Sequence, residues 1–533
     1  MKIKFPTISI IIVLGAFLRF YNLNWGASFY FHPDERNIAS LISSFDFYPS
    51  FDFFTKGTFA YGTFLSYLVF FLIGALKTLL IDFGFRDVFS QSIISLRIIS
   101  STSSVLTIVA LTYIGSKFWN IRVGILTGIL AAFSPGLIQA SHFGTFESFI
   151  TLMYVLIFWT TLSFAKNNKI IYFFLATAII AIASAVKINS LILSVIPFLF
   201  LINSIRQKKI ALCRAFFYVF IAVAILFSLT ILLSPYYIIT DFKNSFAYES
   251  SLLSGTLQVF YTGEFFNTIP IAFQLIRIYP FLINPVLTVL SIGSLFYVFH
   301  KALKIKSKLY LMPFVFFLIL FLPGAFLFAK WTRYMVPTLP FMYLILAITF
   351  EGFLRKKASR IKYPILSVII FINIVFGVSY FITAFVNQDA RIEASLWAKK
   401  NIPANSNVLS EVYDLGIMPF NQYLRNISLF NFYDLDPAPS NNLAQLQNLL
   451  YSNEYIILPS QRILKIRLTN QNKFPNGYKF YADLLSGKLG YQKIYETSCD
   501  IFCKIAYLNS PSFSFEETAS VFDRPTVLIF KRI

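Results

Sequence analysis

About eleven apolar stretches, each near the roughly 20 residues that a helix needs to cross a bilayer, follow one another from the N-terminus to residue 385. They run at about 5–23, 93–115, 121–140, 148–165, 170–187, 189–205, 214–234, 277–299, 309–329, 334–352 and 363–385. In hydrocarbon the backbone can satisfy its polar groups only inside a helix or a closed barrel. Apolar blocks of helical length therefore demand a polytopic α-helical membrane fold. Composition agrees: 13% of the 533 residues are charged, where soluble proteins carry about a quarter. The net charge of +21 does not indicate nucleic acid as a partner, because no single basic face is evident. Lys and Arg gather instead in short clusters between apolar blocks, at Arg206–Lys209, Lys301–Lys308 and Arg355–Lys362.

Such clusters mark cytoplasmic loops, and they decide how a twelfth apolar run, Tyr61–Ile81, is read. If that run stays at the surface and the N-terminus is cytoplasmic, alternation places every basic cluster inside. If it crosses, they all move outside. The positive-inside bias therefore selects a membrane-associated segment that does not cross. Residues 24–92, the turn at 141–147, the loop 235–276 and everything after about 386 then share the outer face. The N-terminal run lacks an A-x-A-like cleavage site and is interrupted by Arg19, so it reads as a retained first crossing rather than a signal peptide.

From residue 387 the composition changes. Asp389–Lys400 has helical spacing with an acidic start and a basic end, and Pro403 lies just beyond it. Short apolar runs at Asn407–Val412, Tyr455–Leu458, Gln492–Tyr495 and Thr526–Phe530 read as strands. Asn441–Tyr451 and Tyr478–Leu485 read as helices between them. This alternation predicts an α/β domain over 387–533, attached to a membrane module over 1–386. Of the three cysteines, Cys213 is in an apolar block, whereas Cys499 and Cys503 are in the tail. A pair four residues apart on one helix is poorly placed for a disulfide, and an oxidising exterior favours one.

The ionisable residues at the ends of apolar blocks carry the chemistry. Asp34 and Glu35 follow the first crossing by about ten residues, and a carboxylate near a low-dielectric boundary is a suitable general base. The other reading is a helix start, with Pro33 and two first-turn acids. Glu147 begins a crossing on the same face and reads as either a functional acid or a charge favourable to the helix dipole. Arg97, Lys187, Lys330 and Arg333 lie near that face and together would suit an anion, with phosphate the natural one. His32 and His142 are auxiliary candidates beside these. A hydrophobic surround with acids and cations suits a lipid-linked phosphate, whose departure the cations would stabilise while an acid deprotonates an incoming hydroxyl.

These features, in this order, resemble the GT-C membrane glycosyltransferases of the protein O-mannosyltransferase and aminoarabinose-transferase type, glycosyltransferase family 39. The stretches that carry the resemblance begin with His32-Pro33-Asp34-Glu35 and Leu96-Arg97, followed by Ser134-Pro135 through Ser141-His142 to Glu147. Ala185-Val186-Lys187-Ile188-Asn189 and Arg333-Tyr334-Met335-Val336-Pro337-Thr338-Leu339-Pro340 continue it. The tail, from Ala394-Ser395-Leu396-Trp397 to Ile402-Pro403 and then Val408 and Glu411, is similar to soluble domains of bacterial members. The resemblance implies a GT-C fold and inverting transfer of a monosaccharide from a polyprenyl-phosphate carrier on the outer face of the plasma or inner membrane. Asp34 would be the base, with Glu35 and Glu147 as further catalytic acids. Arg97, Lys187, Lys330, Arg333 and Lys56 would serve the carrier phosphate, and Asn189, Tyr334, His32 and His142 the acceptor or an auxiliary role, with His32 the alternative base. Many relatives have Asp where Glu147 stands, and the residues around Lys56 differ from theirs. No Trp-Trp-Asp motif occurs, which separates the chain from the oligosaccharyltransferase branch.

No cofactor is expected. The acids offer too few oxygen ligands for a dedicated cation cage, although a divalent metal stays open. The acceptor is a protein, lipid or glycan, with membrane lipids as surroundings. The alternatives are a transporter or flippase of lipid-linked sugars, which calls for ionisable groups at the midplane and matched broken helices, and a polysaccharide polymerase or ligase.

Overall fold

The protein, seen here as a computed structural model, is described over residues 4–45, 56–57, 60–78, 87–355, 361–436, 439–509 and 515–533. The end of the apolar run at Ile81, with Asp82 and Arg86, and the basic residues Lys356, Lys357 and Arg360 fall outside these. Two compact units form. The first comprises Met1–Leu23, Pro33–Leu257 and Leu282–Gly377, and the second Asn24–His32, Gln258–Phe281 and Val378–Ile533.

The first unit is helical. Its helices are α1 (Lys4–Phe20), α2 (Pro33–Ser43), α3 (Phe64–Thr78), α4 (Val88–Phe118), α5 (Ile121–Ala132), α6 (Pro135–His142), α7 (Glu147–Asn167) and α8 (Ile170–Ser184). They continue as α9 (Val195–Arg206), α10 (Leu212–Leu233), α11 (Thr240–Ser254), α12 (Pro285–Lys304), α13 (Lys308–Phe326), α14 (Leu339–Arg355) and α15 (Lys362–Phe381). Among the described residues, eight spans are long and apolar enough to cross a membrane, or nine if α5 and α6 count as one. That is fewer than the eleven expected from the apolar blocks. Two of those blocks, 5–23 and 170–187, fold into helices of only 17 and 15 residues. α3 has 15 residues, about 22 Å at 1.5 Å per residue, against a hydrocarbon core of about 30 Å.

The block at 121–140 bends by 56° between α5 and α6. Pro135 opens α6, and the Ser134 side chain caps it by accepting from the Leu137 N–H at 3.2 Å. The carbonyls released at the end of α5 are met by Arg19, whose Nη1 donates to Ala132 O at 2.9 Å and Nη2 to Ala131 O at 2.9 Å. Arg19 thus serves the break in a helix over a hundred residues away. α4 packs against α1, α2, α5, α6 and α7, and its hydroxyls tie the bundle: the one proton of Ser101 Oγ is shared between Arg19 O at 2.9 Å and Ser141 O at 2.8 Å. α13 contains Pro323 in its last turns.

The second unit is built on a five-stranded sheet of order β2-β1-β3-β5-β4, from β1 (Asn407–Glu411), β2 (Asn426–Phe430), β3 (Tyr455–Leu458), β4 (Tyr491–Glu496) and β5 (Leu528–Arg532). β2, β1 and β3 run parallel, and β5 and β4 are antiparallel to their neighbours. Alternate residues face opposite sides. Leu409, Ile456, Leu458 and Phe530 pack with Leu446, Phe480 and Leu484, while Val408, Ile457 and Ile529 pack with Ala394, Ala398 and Phe420. Both faces are covered, which is why the central strands read as continuous apolar runs. β2 lies at the edge, and its partly exposed Asn-Ile-Ser-Leu-Phe offers no such run. Cys499 and Cys503 are joined, with Cα atoms 5.2 Å apart. The helix of that stretch starts only at Ile501, so Cys499 lies ahead of it and can approach Cys503.

Candidate functional site

The site is assembled within the first unit. α2 starts at Pro33, which needs no N–H there, and sets Asp34 and Glu35 in its first turn. The two acids have different partners. Glu35 is fully buried against Arg97 of α4, which donates from Nη2 to Oε2 at 2.7 Å and from Nε to Oε1 at 2.9 Å. The Gly144 N–H also donates to Glu35. A side chain at Gly144 would lie 2.8 Å from Leu96 Cβ and 3.4 Å from Glu35 Oε1, so glycine permits this approach. Arg97 Nη1 donates to Leu23 O at 2.7 Å. With these bonds in place, Arg97 closes a structural pair and does not line the cavity described next.

Asp34 pairs with Arg333, and both side chains stay partly open, 30% and 21% exposed. Arg333 lines a cavity of about 430 Å³, together with Glu147, Lys187, Asn189 and Tyr334, all foreseen from the sequence, and Tyr61 and Glu249, which were not. Glu147 is the buried first residue of α7. Lys187 stands where α8 gives way to a 3₁₀ helix, Ile188–Ser194. Its ammonium lies 4.7 Å from the centre of the Tyr334 ring and 5.9 Å from that of Tyr61. Tyr61 is held over this bend by Gly62, whose N–H donates to Val186 O at 2.9 Å. A Cβ at Gly62 would lie 1.9 Å from Ala185 O. Burial raises the Tyr61 hydroxyl well above its usual range, with Arg333 opposing, so it remains a neutral donor. Burial also raises Glu249, against the pull of Arg333 and Lys187. The Arg333 Nε is buried and has no hydrogen-bond partner among the described residues.

The remaining sequence candidates lie elsewhere. Lys330 Nζ donates to Phe328 O at 3.1 Å, and Lys56 Nζ to Ser44 O at 3.0 Å; neither lines the cavity. His142 is buried with its ring nitrogens 2.9 Å from Ile138 O and 3.0 Å from Tyr21 O, which ties α6 to the end of α1. His32 belongs to the second unit, its ring 4.8 Å from that of Phe522. Among the described residues no group of three or more His, Cys, Asp or Glu could hold a metal ion.

The cavity joins an apolar lining, including Ile192, Leu253, Ile319 and Leu327, to two cations and two carboxylates. Such a mixture accommodates an anion attached to a hydrophobic chain.

Residues 76–234 match the sequence model of the dolichyl-phosphate-mannose-protein mannosyltransferase family. No curated protein matches the chain. Among solved structures, the Archaeoglobus fulgidus oligosaccharyltransferase tethered to an acceptor peptide is 12% identical, with a TM-score of 0.50 over 99% of this chain and 88% of that one. ArnT from Cupriavidus metallidurans bound to undecaprenyl phosphate is also 12% identical, with a TM-score of 0.47 over 98% of this chain and 97% of that one. At such identity the likeness is one of fold. The chain is therefore a multi-pass helical membrane protein of GT-C fold with a C-terminal α/β domain, and its residues 76–234 carry the mannosyltransferase family's sequence pattern.

Proposed function

We propose that the protein transfers a monosaccharide from a polyprenyl-phosphate carrier to an acceptor hydroxyl or amine, with inversion. The reaction takes place on the outer face of the plasma or inner membrane, with the N-terminus cytoplasmic and residues 387–533 extracytoplasmic. The observation that carries this reading is the convergence of Lys187, Arg333 and Glu147 in one cavity, with Asp34 paired to Arg333. The matching family, whose donor is named as dolichyl-phosphate-mannose, supports a lipid-linked sugar.

In the reaction Asp34 takes the proton of the acceptor, whose oxygen or nitrogen bonds to the anomeric carbon as the bond from that carbon to the carrier phosphate breaks. The phosphate leaves with the bonding electrons. Lys187 and the Arg333 guanidinium stabilise its growing charge. Arg333 stands beside both charges that change: it orients the Asp34 carboxylate and borders the cavity with its guanidinium. The apolar wall receives the isoprenoid, and Glu147 balances the cations from within. Glu35 and Arg97 fix the helix that presents Asp34.

The test is transfer from radiolabelled polyprenyl-phosphate sugars in membranes holding the wild type or Asp34→Asn. Wild-type incorporation that disappears in the variant supports the reaction and the base together. Equal incorporation by both removes Asp34 from that role, and labelled lipid that changes leaflet without transfer returns the transporter reading.

A further inference from the structure

The mechanism above leaves one cavity acid without a task. Glu249 lies on α11, and Phe246, Ser250 and Leu253 of the same helix also line the cavity. Spacings of three, four and seven residues put these on one helical face, so α11 turns a single stripe toward the ligand space. No hydrogen bond or ion pair holds the Glu249 carboxylate among the described residues. Arg333, Asp34 and Lys187 act on it through space.

Charge decides what such a group can receive. Lys187 and Arg333 are the cations available to a phosphate, and a carboxylate beside that phosphate would repel it. Glu249 is therefore poorly suited as a phosphate ligand and well suited to a neutral group carried next to the phosphate. A carboxylate can accept from two hydroxyls at once. A site built on such bonds discriminates against a ligand whose hydroxyls point elsewhere, because the half-buried acceptor then lacks a partner on the ligand. Burial holds the Glu249 carboxyl above its ordinary range, against the pull of Arg333 and Lys187.

We propose that Glu249 determines sugar specificity, binding hydroxyls of the monosaccharide while its carrier phosphate rests on Lys187 and Arg333. The assignment rests on the transferase reading given above. Because it concerns binding in the absence of an acceptor, it can be tested without turnover.

The experiment measures equilibrium binding to the purified full-length protein, without acceptor, of bare undecaprenyl phosphate and of undecaprenyl phosphate bearing mannose, glucose or galactose. The wild type is expected to prefer one glycosylated carrier. Glu249→Gln and Glu249→Ala should bind that carrier about tenfold more weakly and lose the preference. Both should hold bare undecaprenyl phosphate as the wild type does, which also establishes that they fold. Equal weakening for bare and glycosylated carriers, or an unchanged preference, overturns the assignment. A wild type that binds neither form overturns the transferase reading, and the role of Glu249 with it.

Discussion

Asp34 and Glu35 are neighbours on one helical turn, each paired with an arginine, yet they occupy opposite environments. The Glu35–Arg97 pair is sealed: both side chains are fully buried, and the carboxylate collects two guanidinium bonds and the Gly144 N–H. The Asp34–Arg333 pair is partly open, and its arginine borders the cavity with a nitrogen to spare. Depth of burial alone would have favoured the first pair as the seat of chemistry. What separates them is whether the hydrogen-bonding capacity of the pair is already filled.

The largest expected effect breaks the sealed pair. Glu35→Ala strands the Arg97 charge in the interior, and breaking a buried pair in this way costs about 3–5 kcal/mol. Thermal unfolding in detergent should show a large drop in Tm, or the protein should fail to assemble. Asp34→Asn should do the reverse: an unfolding midpoint near that of the wild type, with transfer reduced by about 10²–10⁴-fold, as for loss of a general base. If Asp34→Asn instead unfolds the protein while Glu35→Ala keeps its stability, the two roles are exchanged.

A buried acid with no salt-bridge partner among the described residues sharpens the contrast. Glu411 ends β1 and accepts from the Tyr413 N–H at 3.0 Å and the Phe432 N–H at 3.1 Å. Burial raises it to about 7 from an ordinary 4.5, with these backbone bonds opposing and Asp414 adding to the rise. Between those two values the folded state keeps a proton that the unfolded chain has released. Stability of the second unit should therefore fall as pH rises from about 4.5 to about 7, by at most about 3 kcal/mol, and level off above. Melting curves across that range test this, and Glu411→Gln should flatten the dependence.

The smallest effects come from Arg→Lys changes, which keep the charge and lose the fork. Arg97→Lys should cost about 2 kcal/mol, since a two-pronged, fully buried contact becomes a single one. Arg333→Lys, in the open pair, should cost less than about 1 kcal/mol of stability and show itself mainly in transfer rate. Equal losses from the two would erase the distinction between the pairs.

Much of this architecture is written in local pattern. Apolar blocks mark the spans, the shift at residue 387 marks the α/β tail, and Glu147, Lys187, Asn189, Arg333 and Tyr334 stand at the ends of blocks where a cavity could gather them. What escaped was partnership. Nothing in a separation of 62 residues says that Arg97 belongs to Glu35, so in the sequence this cation reads as a phosphate ligand. Lys330 is only three residues from Arg333, but the chain enters a 3₁₀ turn at Thr332 and the ammonium ends on a backbone carbonyl. Tyr61 is brought to the site by the contact of Gly62 with the end of α8, and Glu249 by the orientation of α11. Both depend on tertiary placement. The 121–140 block shows the remaining limit: its Ser134-Pro135 step was in view, but hydropathy averaged over twenty residues smooths out a 56° bend.

Pro323 of α13 has no N–H to offer the carbonyl of Ile319 four residues earlier, and both residues line the cavity. The helical ladder of α13 therefore lacks one bond where the helix borders the cavity, and the Ile319 carbonyl oxygen has no donor at the usual place. Because that oxygen belongs to the main chain, no change of side chain at Ile319 removes it, whereas Pro323→Ala would by restoring the missing donor.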